Sequence, residues 1–193
     1  MTISNKFTLT RIVLAPIFLV LFFLPKWTGN FNGFTGCVMF PLLAFAEFTD
    51  FLDGFFARKR GEVSDFGKLF DPFADVILHL TTFACCLASG YMHPLIFVLI
   101  LYREFGMSFV RMIAAKKGIA IAARKGGKLK TVLYVVSGFI VVIYESLIRL
   151  VPSFVQYEGT FRIASLIAFC VCLLAAYVSF IDYLVHFSGT IKK

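Results

Sequence analysis

Apolar residues in this chain gather into six runs, at roughly 8–25, 33–57, 70–91, 94–115, 131–150 and 161–185. A helix needs about 20 mostly apolar residues to cross the hydrocarbon core of a bilayer, so each run predicts one transmembrane helix. The second is the least obvious, because Glu47, Asp50 and Asp53 lie toward its C-terminal end. The breaks carry turn chemistry: Pro25 to Gly33, Gly61 to Gly67, Gly90 to Pro94, Gly118 to Gly127 and Pro152 to Gly159. Short connections and the lack of an internal repeat predict a single all-α membrane domain over residues 1–193.

Composition strengthens that reading. Apolar residues make up 60% of the 193, Phe alone numbering 25, and the mean hydropathy is +0.88. Soluble domains carry roughly 45–50% apolar residues. The first run is membrane-length and lacks a small-residue cleavage site, so it is expected to stay as a helix rather than be removed as a signal peptide. Cys37, Cys85, Cys86, Cys170 and Cys172 all lie in apolar runs, without the spacing of a zinc site or a disulfide framework. His79, His93 and His186 are scattered and form no ligand pair.

The net charge of +8 points to a membrane face rather than to nucleic acid, since there is no soluble basic domain. With both termini cytoplasmic, fifteen Lys and Arg fall on the cytoplasmic side, and only Lys26, Arg149 and Arg162 on the other. That is a strong positive-inside bias, suited to anionic lipid headgroups.

Seven of the eleven acidic residues lie between Glu47 and Asp75. Asp50 and Asp53 are three apart and Asp71 and Asp75 four apart, spacings that put each pair on one helix face. Carboxylates at membrane depth are costly and usually functional. Four in one pocket cannot all stay ionised unless cations neutralise them; Mg²⁺ or Mn²⁺ is the natural choice, and such ions commonly hold phosphate. Gly54 and Ala57 leave room beside the first pair, Gly67 stands four residues before Asp71, and Arg58 offers a cation to a phosphate oxygen. The plainer alternative is a solvated helix–loop–helix edge, with Asp71 capping the third helix just before Pro72. It does not account for four spaced aspartates with Gly and Ala between them.

From Asp50 to Asp75 the chain reads D-x-x-D-G-x-x-A-R-x₈-G-x-x-x-D-x-x-x-D. This string resembles the signature of the CDP-alcohol phosphotransferases, and the six-helix layout extends the resemblance over nearly the whole chain. It implies two divalent ions, Mg²⁺ or Mn²⁺, held by Asp50, Asp53, Asp71 and Asp75 against the pyrophosphate of a CDP-linked lipid. It implies that Asp75 takes the proton of an acceptor hydroxyl, whose oxygen attacks the phosphorus bearing the lipid as CMP leaves. Gly54, Ala57, Arg58, Ser64 and Gly67 would line the nucleotide site. The stretch SNKFTLTR resembles the family's Asn-x-x-Thr-x-x-Arg entry to helix 1, so Asn5 and Thr8 would touch the cytidine diphosphate, with helix capping as their other reading. A homodimer is also implied, while the positive-inside bias puts the acidic motif on the cytoplasmic face of the inner (cytoplasmic) membrane.

Acceptor choice must come from outside this motif. Arg103 and Glu104 interrupt the fourth apolar run, and Arg111, Lys128 and Lys130 follow. An Arg at membrane depth tends to face the bundle interior or a wet cavity. Arg103-Glu104-Phe105 and Gly127-Lys128-Leu129-Lys130-Thr131 resemble the phosphatidylglycerophosphate synthase branch, which implies CDP-diacylglycerol as donor and glycerol 3-phosphate as acceptor, gripped by Arg103, Arg111, Lys128 and Lys130. Val76 departs from that branch, which commonly has Lys there. Inositol phosphate, serine or phosphatidylglycerol are alternative acceptors. A divalent-cation transporter is the reading from another class, but it needs polar residues through the full membrane depth, and helices 1, 5 and 6 have almost none in their middles.

Overall fold

The computed structural model describes residues 3–60, 65–118 and 125–191, with side chains described except at 3–5, 51, 53–60, 65, 66, 68, 125 and 187–191. Six long helices follow one another: α1 (Ile3–Thr28), α2 (Asn32–Arg60), α3 (Asp65–Ala88), α4 (Pro94–Lys116), α5 (Lys125–Leu150) and α6 (Glu158–Ile191). A 3-10 turn, Pro152–Tyr157, links the last two, and no strand occurs among the described residues.

Four stretches are long and apolar enough to cross a membrane: Lys6–Thr28, Leu69–Ala88, Gly126–Leu150 and Pro152–His186. Helices α2 and α4 form as expected but are not among those four. Glu47 and Asp50 in α2, and Arg103, Glu104 and Arg111 in α4, lower their hydropathy.

Several boundaries differ from those read in the sequence. Helix α1 runs through Pro25 to Thr28 and is closed by Thr28 Oγ1 donating to the Leu24 carbonyl at 2.8 Å. Helix α3 starts at Asp65, so Pro72 is interior and Asp71 is not an N-cap. Likewise Thr8 lies inside α1 and does not cap it. Interior prolines are tolerated in membrane helices because neighbouring groups satisfy the freed carbonyls. Other ends follow the turn residues closely. Gly90 adopts φ 78° after α3, where its N–H bonds the Leu87 carbonyl and that of Tyr91 bonds Cys86, a Schellman closure that favours glycine. His93 Nδ1 then accepts from Leu95 N at 3.2 Å, capping α4 ahead of Pro94.

Helix α3 sits between two packed groups. On one side Phe18 and Phe22 of α1 and Met39 and Leu43 of α2 meet Leu78 and Cys85 of α3. On the other, Phe83 of α3 packs with Ile100 of α4, Tyr134 of α5 and Phe169 of α6. Small residues allow close approach: a Cβ at Gly138 would stand 3.1 Å from Thr82 Cγ2, which is how near α5 comes to α3. At the end of the bundle away from Asp75, Arg149 of α5 bonds the Phe22 carbonyl at 2.9 Å and Thr35 Oγ1 at 3.1 Å, clamping α1, α2 and α5.

Polarity is inverted relative to a soluble bundle. Val171, Leu174, Val178, Ile181 and Val185 recur at helical spacing along the exposed face of α6, whereas Arg11, Arg103, Glu104, Lys130 and Glu145 are buried. Charged groups within apolar helices characteristically face the bundle interior.

Candidate active site

Three helices bring the acidic motif together. Thr8 and Arg11 lie three residues apart on α1, so they share a face, and both are completely buried. Arg11 Nη1 donates to Asp50 Oδ1 at 2.5 Å and also to Asp75 Oδ1, while its Nη2 lies 3.9 Å from Asp71 Oδ1. Thr8 Oγ1 donates to Asp71. Asp50 of α2 and Asp71 and Asp75 of α3 therefore converge on one cation of α1. A buried arginine demands such compensation, because an uncompensated charge in the interior is strongly destabilising.

The donor set is oxygen-only and anionic, which fits a hard divalent ion. Among the described residues, however, no three carboxylate, His or Cys groups are grouped tightly enough to hold one metal. Asp53 belongs to α2, but its side chain lies outside the described set, as do those of Asn5, Gly54, Ala57 and Arg58; Ser64 lies outside the described residues altogether. Gly67 is buried in the first turn of α3.

One turn beyond Asp75, the buried His79 sits with Nε2 3.3 Å from Glu47 Oε1 and its ring edge-on to Tyr134 at 5.8 Å. Glu47 and His79 were not singled out from the sequence, although Asp71, Asp75 and His79 repeat every four residues and so continue one face of α3. Arg11 escaped in the same way: as the last residue of the Asn-x-x-Thr-x-x-Arg stretch it read only as part of the cytoplasmic charge.

Beside the aspartates opens a cavity of about 340 Å³, a size typical of small-molecule sites. Asp50, Asp75 and His79 line it together with Arg103, Arg111, Lys128 and Lys130. All four cations named from the sequence are thus brought to one place, but they are not equivalent. Buried Glu104 Oε1 accepts from Arg103 Nη1 at 2.9 Å, Lys130 Nζ at 3.0 Å and Tyr134 OH at 3.0 Å. Arg103 also reaches α6 through the Ala176 carbonyl at 3.1 Å. Arg111 and Lys128 make no ion pair with a described residue. Four cations against Glu104 leave their part of the lining strongly positive, in the same cavity as Asp50 and Asp75, so an anionic molecule can be held near a basic group.

Comparison with known proteins agrees with this chemistry. The family model for CDP-alcohol phosphatidyltransferase matches residues 1–181. A CDP-diacylglycerol–glycerol-3-phosphate 3-phosphatidyltransferase of Treponema pallidum is 34% identical over 199 residues, covering 100% of this chain and 92% of its own. Proteins of the same name from Bacillus subtilis (32% identical, 67% of this chain and 70% of the relative) and Rickettsia typhi (34%, 68% and 70%) are also similar.

Proposed function

The chain belongs to the CDP-alcohol phosphatidyltransferase family, and we propose that it transfers the phosphatidyl group of CDP-diacylglycerol to glycerol 3-phosphate, giving phosphatidylglycerophosphate and CMP. The observation that carries the acceptor is the 340 Å³ cavity joining Asp50 and Asp75 to Arg103, Arg111, Lys128 and Lys130. A neutral alcohol has no need of such a wall, whereas a phosphate dianion approaching a pyrophosphate does. The relatives named above carry the same donor and acceptor in their names.

Asp75 accepts the proton from the acceptor hydroxyl as that oxygen attacks the phosphorus bearing the diacylglycerol; the bond from phosphorus to the CMP oxygen breaks, and CMP departs. Two divalent ions, Mg²⁺ or Mn²⁺, held by Asp50, Asp53, Asp71 and Asp75, supply charge neutralisation for the pyrophosphate. Arg111 and Lys128 hold the acceptor phosphate directly. Arg103 and Lys130, fixed by Glu104, shape the cavity wall and add field. Asn5, Thr8, Gly54, Ala57, Arg58, Ser64 and Gly67 line the cytidine diphosphate side. No activated Ser or Cys is required, because phosphoryl transfer rests mainly on positioning and electrostatics.

The protein forms one catalytic domain of six spans in the inner (cytoplasmic) membrane, as a homodimer with both termini cytoplasmic. The distribution of Lys and Arg supports that orientation, and it puts the site where a nucleotide-activated lipid and a soluble phosphate meet. The test is CMP release by purified protein given CDP-diacylglycerol and, in turn, glycerol 3-phosphate, inositol phosphate, serine and phosphatidylglycerol. Release with glycerol 3-phosphate alone is the expected result; release with another alcohol and none with glycerol 3-phosphate overturns the acceptor assignment.

A further inference from the structure

We propose that Arg11 is a built-in counter-cation: it competes with divalent ions for Asp50, Asp71 and Asp75, and it turns to the phosphate of the CDP-lipid when those ions bind. The inference rests on the two-metal reading of the site and adds a residue which that reading leaves without a role.

The geometry sets the competition. Arg11 Nη1 draws on Asp50 Oδ1 and Asp75 Oδ1, and Nη2 faces Asp71 Oδ1. A divalent ion held by these residues draws on the same three carboxylates, and a guanidinium seated among them repels it. For the ion to bind tightly, the guanidinium must leave.

Arg11 cannot leave by losing its proton, since a guanidinium stays charged at any relevant pH. It has to move, and being completely buried it has to move to another anion. The donor's pyrophosphate is the anion that arrives with the metal, and the planar fork of an arginine matches phosphate oxygens well. Thr8, on the same face of α1, keeps its own hold on Asp71, so the aspartate stays placed while the guanidinium turns. Two consequences follow. Metal alone binds weakly because it must expel a paired cation, and the CDP-lipid strengthens metal binding by giving that cation a new partner. By linkage the metal strengthens lipid binding by the same factor.

The experiment measures Mn²⁺ binding directly, by the electron paramagnetic resonance of free Mn²⁺, on full-length protein in detergent with and without CDP-diacylglycerol. R11Q should bind Mn²⁺ alone about tenfold more tightly than the wild type, and the enhancement by CDP-diacylglycerol should shrink by a similar factor, within the usual span of coupling between sites. R11K, which keeps the charge, should bind Mn²⁺ alone about as weakly as the wild type. R11Q should also melt lower without Mn²⁺ and recover with it, because three facing carboxylates lose the cation that Arg11 places among them. Equal or weaker Mn²⁺ binding by R11Q, in a series where the wild type binds, overturns the role of Arg11 and leaves the two-metal reading standing. A wild type that binds no Mn²⁺ at all overturns both. If R11Q does not fold, wild type labelled with ¹⁵N-arginine carries the test: Mg²⁺ should shift the guanidinium signal that is missing from R11K, and an unmoved signal overturns the proposal.

Discussion

Lys130 Nζ lies 3.0 Å from Glu104 Oε1, the same oxygen that accepts from Arg103 and Tyr134. One carboxylate oxygen thus ties α4 to α5, and through Arg103 to α6. Two of the four cations facing the cavity are therefore held by the protein itself, and their positions depend on a single buried anion.

Glu104→Gln should consequently be a stability variant first. Only 3% of Glu104 is exposed, and removing one partner of a buried charge pair commonly costs about 3–5 kcal/mol. Two cations would be left without their counter-charge. Thermal unfolding in detergent should show a large drop, with weaker acceptor binding as a secondary effect. An unchanged melting temperature would mean that the network is not holding the helices.

Arg111→Ala and Lys128→Ala should behave differently. Neither residue makes an ion pair with a described group, so little folding energy is at stake. Each should raise KM for glycerol 3-phosphate, leaving that for CDP-diacylglycerol nearly unchanged. A charge-assisted contact contributes roughly 1.5–3 kcal/mol, or about one to two decades in affinity. Lys26→Ala, near the opposite end of the bundle, is the matched control. Equal rises for both substrates would assign these cations to the donor instead.

The acidic motif was legible because its chemistry is local: the spacings of Asp50 and Asp53, and of Asp71 and Asp75, are helix-face spacings that any α-helix honours. The Gly90 and Pro94 boundary was legible for the same reason. What stayed hidden depends on packing between distant segments. Arg11 and Asp75 are 64 residues apart, and nothing in an apolar run says which neighbour a charged residue will meet. Arg103 and Glu104 illustrate the limit from the other side. Adjacent helical residues do not face one another, yet these two bond at 2.9 Å, because Lys130, Tyr134 and α6 draw both side chains to one spot. Pro25 and Pro72 misplaced helix ends, since proline breaks helices in water far more reliably than in a membrane bundle.

Chelation should silence the wild type, with Mg²⁺ or Mn²⁺ restoring it. Asp50→Asn and Asp71→Asn should each depress activity strongly, and the double variant should be little worse than either, because ligands that act as a unit give non-additive losses. Turnover at full rate in excess chelator would remove the metal from the mechanism.

Asp75→Asn separates the base from the ligands. Asp50 and Asp75 both line the cavity, so either carboxylate is placed to meet an acceptor hydroxyl, and loss of activity alone does not distinguish them. The two roles respond differently to metal concentration. A pure ligand variant binds the ion more weakly, so Asp50→Asn should regain part of its rate as Mg²⁺ or Mn²⁺ is raised. An asparagine at 75 keeps the shape but cannot take a proton, and general-base catalysis is worth about 10²–10⁴-fold. Asp75→Asn should therefore stay slow by at least about two decades at saturating metal, while still binding CDP-diacylglycerol in a filter or calorimetric assay. Rescue of Asp75→Asn by metal to the same extent as Asp50→Asn would make Asp75 a ligand only, and the proton would have to leave by way of another group lining the cavity, with His79, held by Glu47 one turn along α3, the first to examine.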